Sequence, residues 1–351
     1  MQHNKYLVGL SLLAGIVIIV MKPHGVSYSI LALALGFGIV VLTSEPMVEG
    51  LKDFGAQTGL SPHITGVLSS MASNLPEGVM TGFMIMSPEL KDVAILTVML
   101  ASAFNGLLLG LLVVMMTYKG GAIEMPKEKM EQDIEIMRIA IALCIIVFGT
   151  GIILNMFCTG EMPVLPREIP VFLLLGYGGY LYFLTKRNES TPHVEVHEEK
   201  HEKNGWLAPI VIGLVGILIA AELIAESSEY FVHMYDLHVA IAATVIGLAS
   251  SVPEHGIALI GAQKGHIELG VSNLLSGIVQ SIMLIFPLLA LLVPIQLDGY
   301  ILYQFMANAV TMWVVKKAII DDNRLTLDEG FSIILIQLLG IMLFDELSLL
   351  L

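Results

Sequence analysis

Charge is what this sequence has least of. Only 14% of its 351 residues are charged and 56% are hydrophobic, where a soluble globular chain carries about 25% charged residues. With a mean hydropathy of +0.83, the shortage excludes a soluble domain and implies an integral membrane protein. Cysteine is nearly absent as well. Cys144 and Cys158 fall in one apolar span, so there is no disulfide framework and no thiol metal motif, and packing is the plain reading of both. The net charge of −14 does not mark an acidic binder, because most of the acids lie in two loops and at helix ends. Nothing implies a nucleic-acid partner or a bound cofactor.

Apolar runs are what the sequence has in excess. Eleven are expected to be helices, at about 5–21, 28–50, 62–86, 92–117, 137–157, 169–185, 206–234, 238–262, 267–293, 300–318 and 329–350. Most reach the roughly 20 residues that a helix needs to cross the hydrocarbon. The first is followed by Met21-Lys22-Pro23-His24 rather than a small-residue cleavage site, so it reads as a helix and not a signal peptide. Basic residues are few, and they are unevenly placed. With eleven spans, fourteen of the seventeen lysines and arginines fall on the side of the N-terminus, and only Lys22, Lys91 and Arg167 fall on the other. Positive loops stay cytoplasmic. The N-terminus is therefore expected inside and the C-terminus outside.

The sequence repeats itself at a shift of 177 residues. Ala72-Ser73-Asn74-Leu75-Pro76-Glu77 meets Ala249-Ser250-Ser251-Val252-Pro253-Glu254, and Glu45, Glu49, Leu60 and Ile64 meet Glu222, Glu226, Leu237 and Ile241. Five spans separate the copies, so the second enters the membrane the opposite way. The expected fold is an all-α membrane protein with an inverted-topology repeat, a plan of secondary transporters that places the ion site near the midplane. Its parts are an extra N-terminal helix at 1–27, a five-helix half at 28–185, a polar His/Glu linker at 186–205 and a second five-helix half at 206–351.

Each motif puts a carboxylate directly after a proline inside an apolar run. A charge at that depth costs at least about 2.5–3.5 kcal/mol on insertion scales. Proline has no N–H to give and clashes with the carbonyl four residues back. Pro76 thus frees the carbonyl of Ala72, and Pro253 that of Ala249, which a membrane tolerates where the carbonyl lines a cavity. Ser73 shares a helix face with Glu77, and Ser250 with Glu254. Each motif therefore offers a carboxylate, a hydroxyl and a carbonyl on one side of a broken helix. These are hard oxygen ligands, suited to Ca²⁺ with its about six to eight oxygens. Zn²⁺ or Cu⁺ would want nitrogen or sulfur, and Met71, Met80, Met84 and Met86 read as packing. Ser102 and Asn105 follow the first motif; Ser272, Asn273, Ser276, Gln280 and Ser281 follow the second. Asn105 and Gln280 are candidates to complete the coordination, although amides also glue membrane helices together. Glu45, Glu49, Glu222, Glu226 and Glu229 are read as lying toward the cytoplasmic ends of the first helix of each half, as cation relays or as interfacial residues. His193, His197 and His201 in the linker form either a metal- or pH-sensing face or part of a solvated connector.

The two motifs resemble the paired alpha-repeats of the Ca²⁺:cation antiporter superfamily, over about 28–320. The Ser-Asn-Leu-Pro-Glu and Ser-Ser-Val-Pro-Glu segments are similar to the Thr-Ser-Leu-Pro-Glu motif of Na⁺/Ca²⁺ exchangers. Glu254-His255, Ile267-Glu268-Leu269-Gly270-Val271, Ser276-Gly277-Ile278-Val279-Gln280 and Phe286-Pro287 are more similar to the second repeat of Ca²⁺/H⁺ antiporters. The resemblance implies that Glu77 and Glu254 are the exchange glutamates. It matches Asn105 to the family's first-repeat asparagine, Gln280 to the glutamine of the proton-coupled branch, and Ser73 and Ser250 to hydroxyl ligands of the sodium-coupled branch. Asn74, Ser251 and His255 belong to the same motifs. The sequence departs from both branches, with Ser281 where the sodium branch often has an aspartate and Ser-Asn-Leu-Pro-Glu where the proton branch has Gly-Asn-Ala-Val-Glu. The expected function is exchange of Ca²⁺ for H⁺, with Na⁺/Ca²⁺ exchange at the same glutamates as the alternative. The partners are these ions and the lipid bilayer, the transported ions standing in place of any cofactor. An intramembrane hydrolase is disfavoured, since no Ser/His or Gly-Asp signature accompanies the glutamates. The lack of a long soluble regulatory domain suggests a prokaryotic cytoplasmic membrane.

Overall fold

The computed structural model describes residues 2–21, 25–58, 62–124, 127–157, 162–188, 205–263 and 267–350. Among these the chain is almost wholly helical. In order, the helices are α1 (Gln2–Met21), α2 (Val26–Thr58), α3 (Pro62–Met84), α4 (Lys91–Thr117), α5 (Lys127–Phe157), α6 (Glu168–Asn188), α7 (Leu207–Tyr235), α8 (Val239–Gln263), α9 (Ile267–Gln280), α10 (Phe286–Leu292), α11 (Gly299–Asp322) and α12 (Leu327–Leu350). A single π-helical turn, Ser281–Ile285, joins α9 to α10. Two short strands, β1 (Ile123–Glu124) and β2 (Arg324–Leu325), pair antiparallel. Among the described residues six helices are long and apolar enough to cross a membrane by length and composition, and the protein is an integral membrane protein.

The chain forms two compact units, Met1–Leu90 with Leu181–Leu237, and Lys91–Tyr180 with His238–Leu351. Neither follows chain order. Each draws helices from before and after the polar linker, whose residues 189–204 lie outside the described ones along with His193, His197 and His201.

In the first unit, α2 lies along α7 and α3 packs on both. Glycines set the close approach. A Cβ at Gly213 would run into the Met47 side chain, and one at Gly216 would come within 2.6 Å of Thr43. Small residues at such contacts are the usual means of bringing helices together in lipid, where apolar side chains gain little by leaving the solvent. At one end of the pair, the Phe54 and Trp206 rings meet edge to face at 4.8 Å. Met47, Ala72 and Ile217 form a core between the three helices, with Leu75 and Val79 against it. Several hydroxyls inside this unit are bonded back to their own helix, such as Thr43 Oγ1 to the Ile39 carbonyl at 2.8 Å and Ser227 Oγ to the Leu223 carbonyl at 2.7 Å.

In the second unit α4 is central, apolar nearly all round and buried nearly throughout, as a helix enclosed on every side should be. It packs against α8, α9, α11 and α12. Gly106 and Gly110, four residues apart, face α12. A Cβ at Gly110 would stand 2.8 Å from Ile334 and 2.9 Å from the Gly330 carbonyl, and one at Gly106 would stand 3.1 Å from Gln337. The helix ends are specified locally. Asp298 caps α11 by accepting from the Ile301 N–H at 2.8 Å. At the start of α12 Glu329 makes its half of a capping box, its carboxylate accepting from the Thr326 N–H and also from the Thr326 hydroxyl, both at 2.8 Å. Asn323 and Asp236 end their helices in the left-handed conformation, at φ 58° and 48°.

Candidate functional site

The first motif lies in α3. The sequence implied a broken helix there, but α3 runs uninterrupted from Pro62 to Met84 with Pro76 inside it. The correction is local. Proline still withholds its N–H from the Ala72 carbonyl, while the turns before and after keep the helical path. Glu77 is buried. Its Oε1 has no hydrogen-bond partner among the described residues, while its own carbonyl accepts from the Thr81 hydroxyl at 2.7 Å. Asn74 is also buried, one turn before Glu77. Ala72 faces inward against Met47 and Ile217. A buried carboxylate oxygen without a donor is costly, and a cation or a proton removes that cost.

The second motif lies in α8, where Ser250 and Ser251 are buried. Ser250 Oγ bonds back to the Gly247 carbonyl at 3.0 Å, and Ser251 Oγ has no partner among the described residues. The side chains of Ser73, Ala249, Glu254 and His255 lie outside the described residues.

The helices that carry the other candidates converge within the second unit. α4 packs on α8 and α9, and these pack on each other. Gly247 lets the α8 backbone approach Phe104, the residue before Asn105. Ser102 Oγ donates to the Ile278 carbonyl of α9 at 2.8 Å. Asn105 is buried, with neither amide atom partnered among the described residues. Gln280 is buried and donates to Ser276 Oγ at 3.0 Å. It is the last residue of α9, immediately before the π turn. Such turns are rare and cluster at functional sites. Asn74 and Glu77 thus belong to one unit, and Asn105, Ser250, Ser251 and Gln280 to the other.

Sequence reasoning missed a polar layer in the second unit. Thr97 of α4, Gln304, Asn308 and Thr311 of α11 and Gln337 of α12 are buried. Asn308 Nδ2 donates to the Met99 carbonyl at 3.0 Å, and the Thr311 hydroxyl to Gln337 Oε1 at 2.9 Å. The signal was present: Gln304, Asn308 and Thr311 recur at helical spacing inside the apolar run 300–318, and Gln337 is an isolated amide inside the run 329–350.

The sodium/calcium exchanger protein family model matches residues 28–186 and 206–344. No curated protein matched the sequence. Among solved structures, the chain is similar to the H⁺/Ca²⁺ exchanger CAX, with a TM-score of 0.77 at 14% identity over 99% of this chain and 93% of that one. It is similar to native YfkE, with a TM-score of 0.68 at 14% identity over 97% and 99%. It is also similar to the sodium-calcium exchanger NCX_Mj soaked with 2.5 mM Na⁺ and 10 mM Sr²⁺, with a TM-score of 0.62 at 16% identity over 90% and 98%. At such identities the structures speak for the fold. The family match covers most of the chain and includes both proline–glutamate motifs, so the chain belongs to the sodium/calcium exchanger protein family, within the Ca²⁺:cation antiporter superfamily.

Proposed function

We propose that this protein is a Ca²⁺/H⁺ antiporter in which Glu77 and Glu254 hold the transported ions. The observation that carries the reading is the buried carboxylate of Glu77, with an oxygen unpartnered among the described residues, in a member of an exchanger family. Two such carboxylates accept one Ca²⁺ or two protons with similar net charge. Left empty and ionised, they repel each other, so release of one ion favours capture of the other. Asn105 and Gln280 supply neutral oxygens, and the Ala72 and Ala249 carbonyls supply more.

The two stretches matched by one family model support an inverted repeat of five plus five helices after an extra N-terminal helix. Alternating access then exposes the site to each side, with the N-terminus in the cytoplasm and the C-terminus outside. The Glu254-His255 pair and buried Gln280 favour protons. The hydroxyls favour a second reading, Na⁺/Ca²⁺ exchange, since Ser251 Oγ is buried without a partner among the described residues. Proteoliposomes given a pH gradient or a Na⁺ gradient in separate arms decide between them. The proposal expects Ca²⁺ uptake under the pH gradient with no Na⁺ present. Uptake that requires a Na⁺ gradient contradicts it.

A further inference from the structure

Outside the transport motifs, three metal-ligating side chains meet at one end of the first unit. Glu229 and His233 stand one turn apart near the C-terminal end of α7, and Glu89 lies in the turn that connects α3 to α4. Their ligand atoms all lie within 4.8 Å of one another. His233 Nε2 is 3.9 Å from Glu89 Oε1, and the Ser87 hydroxyl donates to the other Glu89 oxygen at 2.9 Å. Glu229 is half-buried, whereas Glu89 and His233 are open to solvent. Helical spacing fixes Glu229 and His233 on one face, and the Ser87 bond orients the carboxylate that comes from the turn.

We propose that Glu89, Glu229 and His233 form a binding site for a first-row divalent transition ion of the Zn²⁺ class, separate from the site of the transported ions. One imidazole and two carboxylates are three ligands of types that Zn²⁺ takes, and three protein ligands leave its fourth position for water. Ca²⁺ takes oxygen ligands and gains little from an imidazole. The orientation proposed above, with the N-terminus in the cytoplasm, puts this end of α7 on the outer side, together with the turn that holds Glu89. Glu229 therefore sits away from the cytoplasmic end to which its sequence grouping assigned it. A bound ion would fasten the α3–α4 turn to α7.

The test is titration calorimetry of the purified full-length protein with Zn²⁺, in a Glu77→Gln background so that the transport motif cannot supply the signal. One Zn²⁺ per chain is expected. Glu89→Gln and His233→Ala should each weaken it by about tenfold or more, roughly 1.4 kcal/mol. In the otherwise native chain, His233→Ala should leave Ca²⁺ exchange unchanged. No saturable Zn²⁺ binding, or binding indifferent to both substitutions, overturns the proposal. The Ca²⁺ flux arms are read separately, so failure of this site and failure of the antiporter reading remain distinguishable.

Discussion

Glu77 and Asn105 pose the same problem at the residue scale. Both are buried, and both have side-chain atoms without a partner among the described residues. For a group that only fills space, such atoms cost about 1–3 kcal/mol. Asn105→Leu therefore separates glue from ligand. As a ligand position, it should lose Ca²⁺ exchange while thermal unfolding in detergent stays at or above the native midpoint; retained exchange would make Asn105 structural. Glu77→Gln and Glu254→Gln keep the shape and remove the charge, and each should abolish Ca²⁺ flux in vesicles. The candidate site was legible here because an isolated carboxylate or amide in an apolar run needs a reason to exist. The buried amides Gln304, Asn308 and Gln337 sit in similar runs, but no repeat drew notice to them.

Asp298 is the other residue whose environment makes a prediction. It caps α11 in the loop after α10. Burial raises its carboxyl above the ordinary 3.8, and the neighbouring Asp92 charge adds to the rise, while the Ile301 N–H opposes it. A raised native value means that the folded state binds the proton more tightly than the unfolded one. The resulting stability is fully present below pH 3.8 and is lost as pH rises through the native value. Asp298→Asn keeps a capping oxygen and removes the titration. Its unfolding midpoint should change less with pH just above 3.8 than that of the native chain, and an identical pH profile would contradict the assignment.

At the scale of elements, glycine contacts carry the packing. α4 meets α12 at Gly106 and Gly110, and Gly110 has backbone as well as the Ile334 side chain opposite it, with the Gly330 carbonyl 2.9 Å from a would-be Cβ. Gly110→Val should destabilise the second unit by about 1–3 kcal/mol through overpacking, seen as a lower unfolding midpoint; an unchanged midpoint would show that the helices separate at no cost. Apolar run length predicted much of the helical extent, such as α4 at Lys91–Thr117 against the expected 92–117. It failed where helices continue through polar sequence. α5 begins at Lys127 rather than 137, and α2 continues to Thr58 rather than 50, because charged residues outside the hydrocarbon still form good helix. The π turn at Ser281–Ile285 and the β1–β2 pair left no sequence signal, since each depends on one local hydrogen-bond choice set by packing.

At the scale of the whole molecule, the class was legible from apolar runs and the repeated motif: a helical membrane protein of an exchanger family. The division into compact units was not legible, because each unit joins segments distant in sequence. A periodic pattern reports which face of a helix is apolar, and not which distant helix covers it. The central claim is that Ca²⁺ moves in exchange for protons at the two glutamates. It is tested most directly by following luminal Ca²⁺ and luminal pH together in Na⁺-free proteoliposomes. We predict that Ca²⁺ entry alkalinises the lumen in step, and that Glu77→Gln and Glu254→Gln each abolish both signals. Ca²⁺ entry without proton movement, or entry that survives either substitution, would contradict the account.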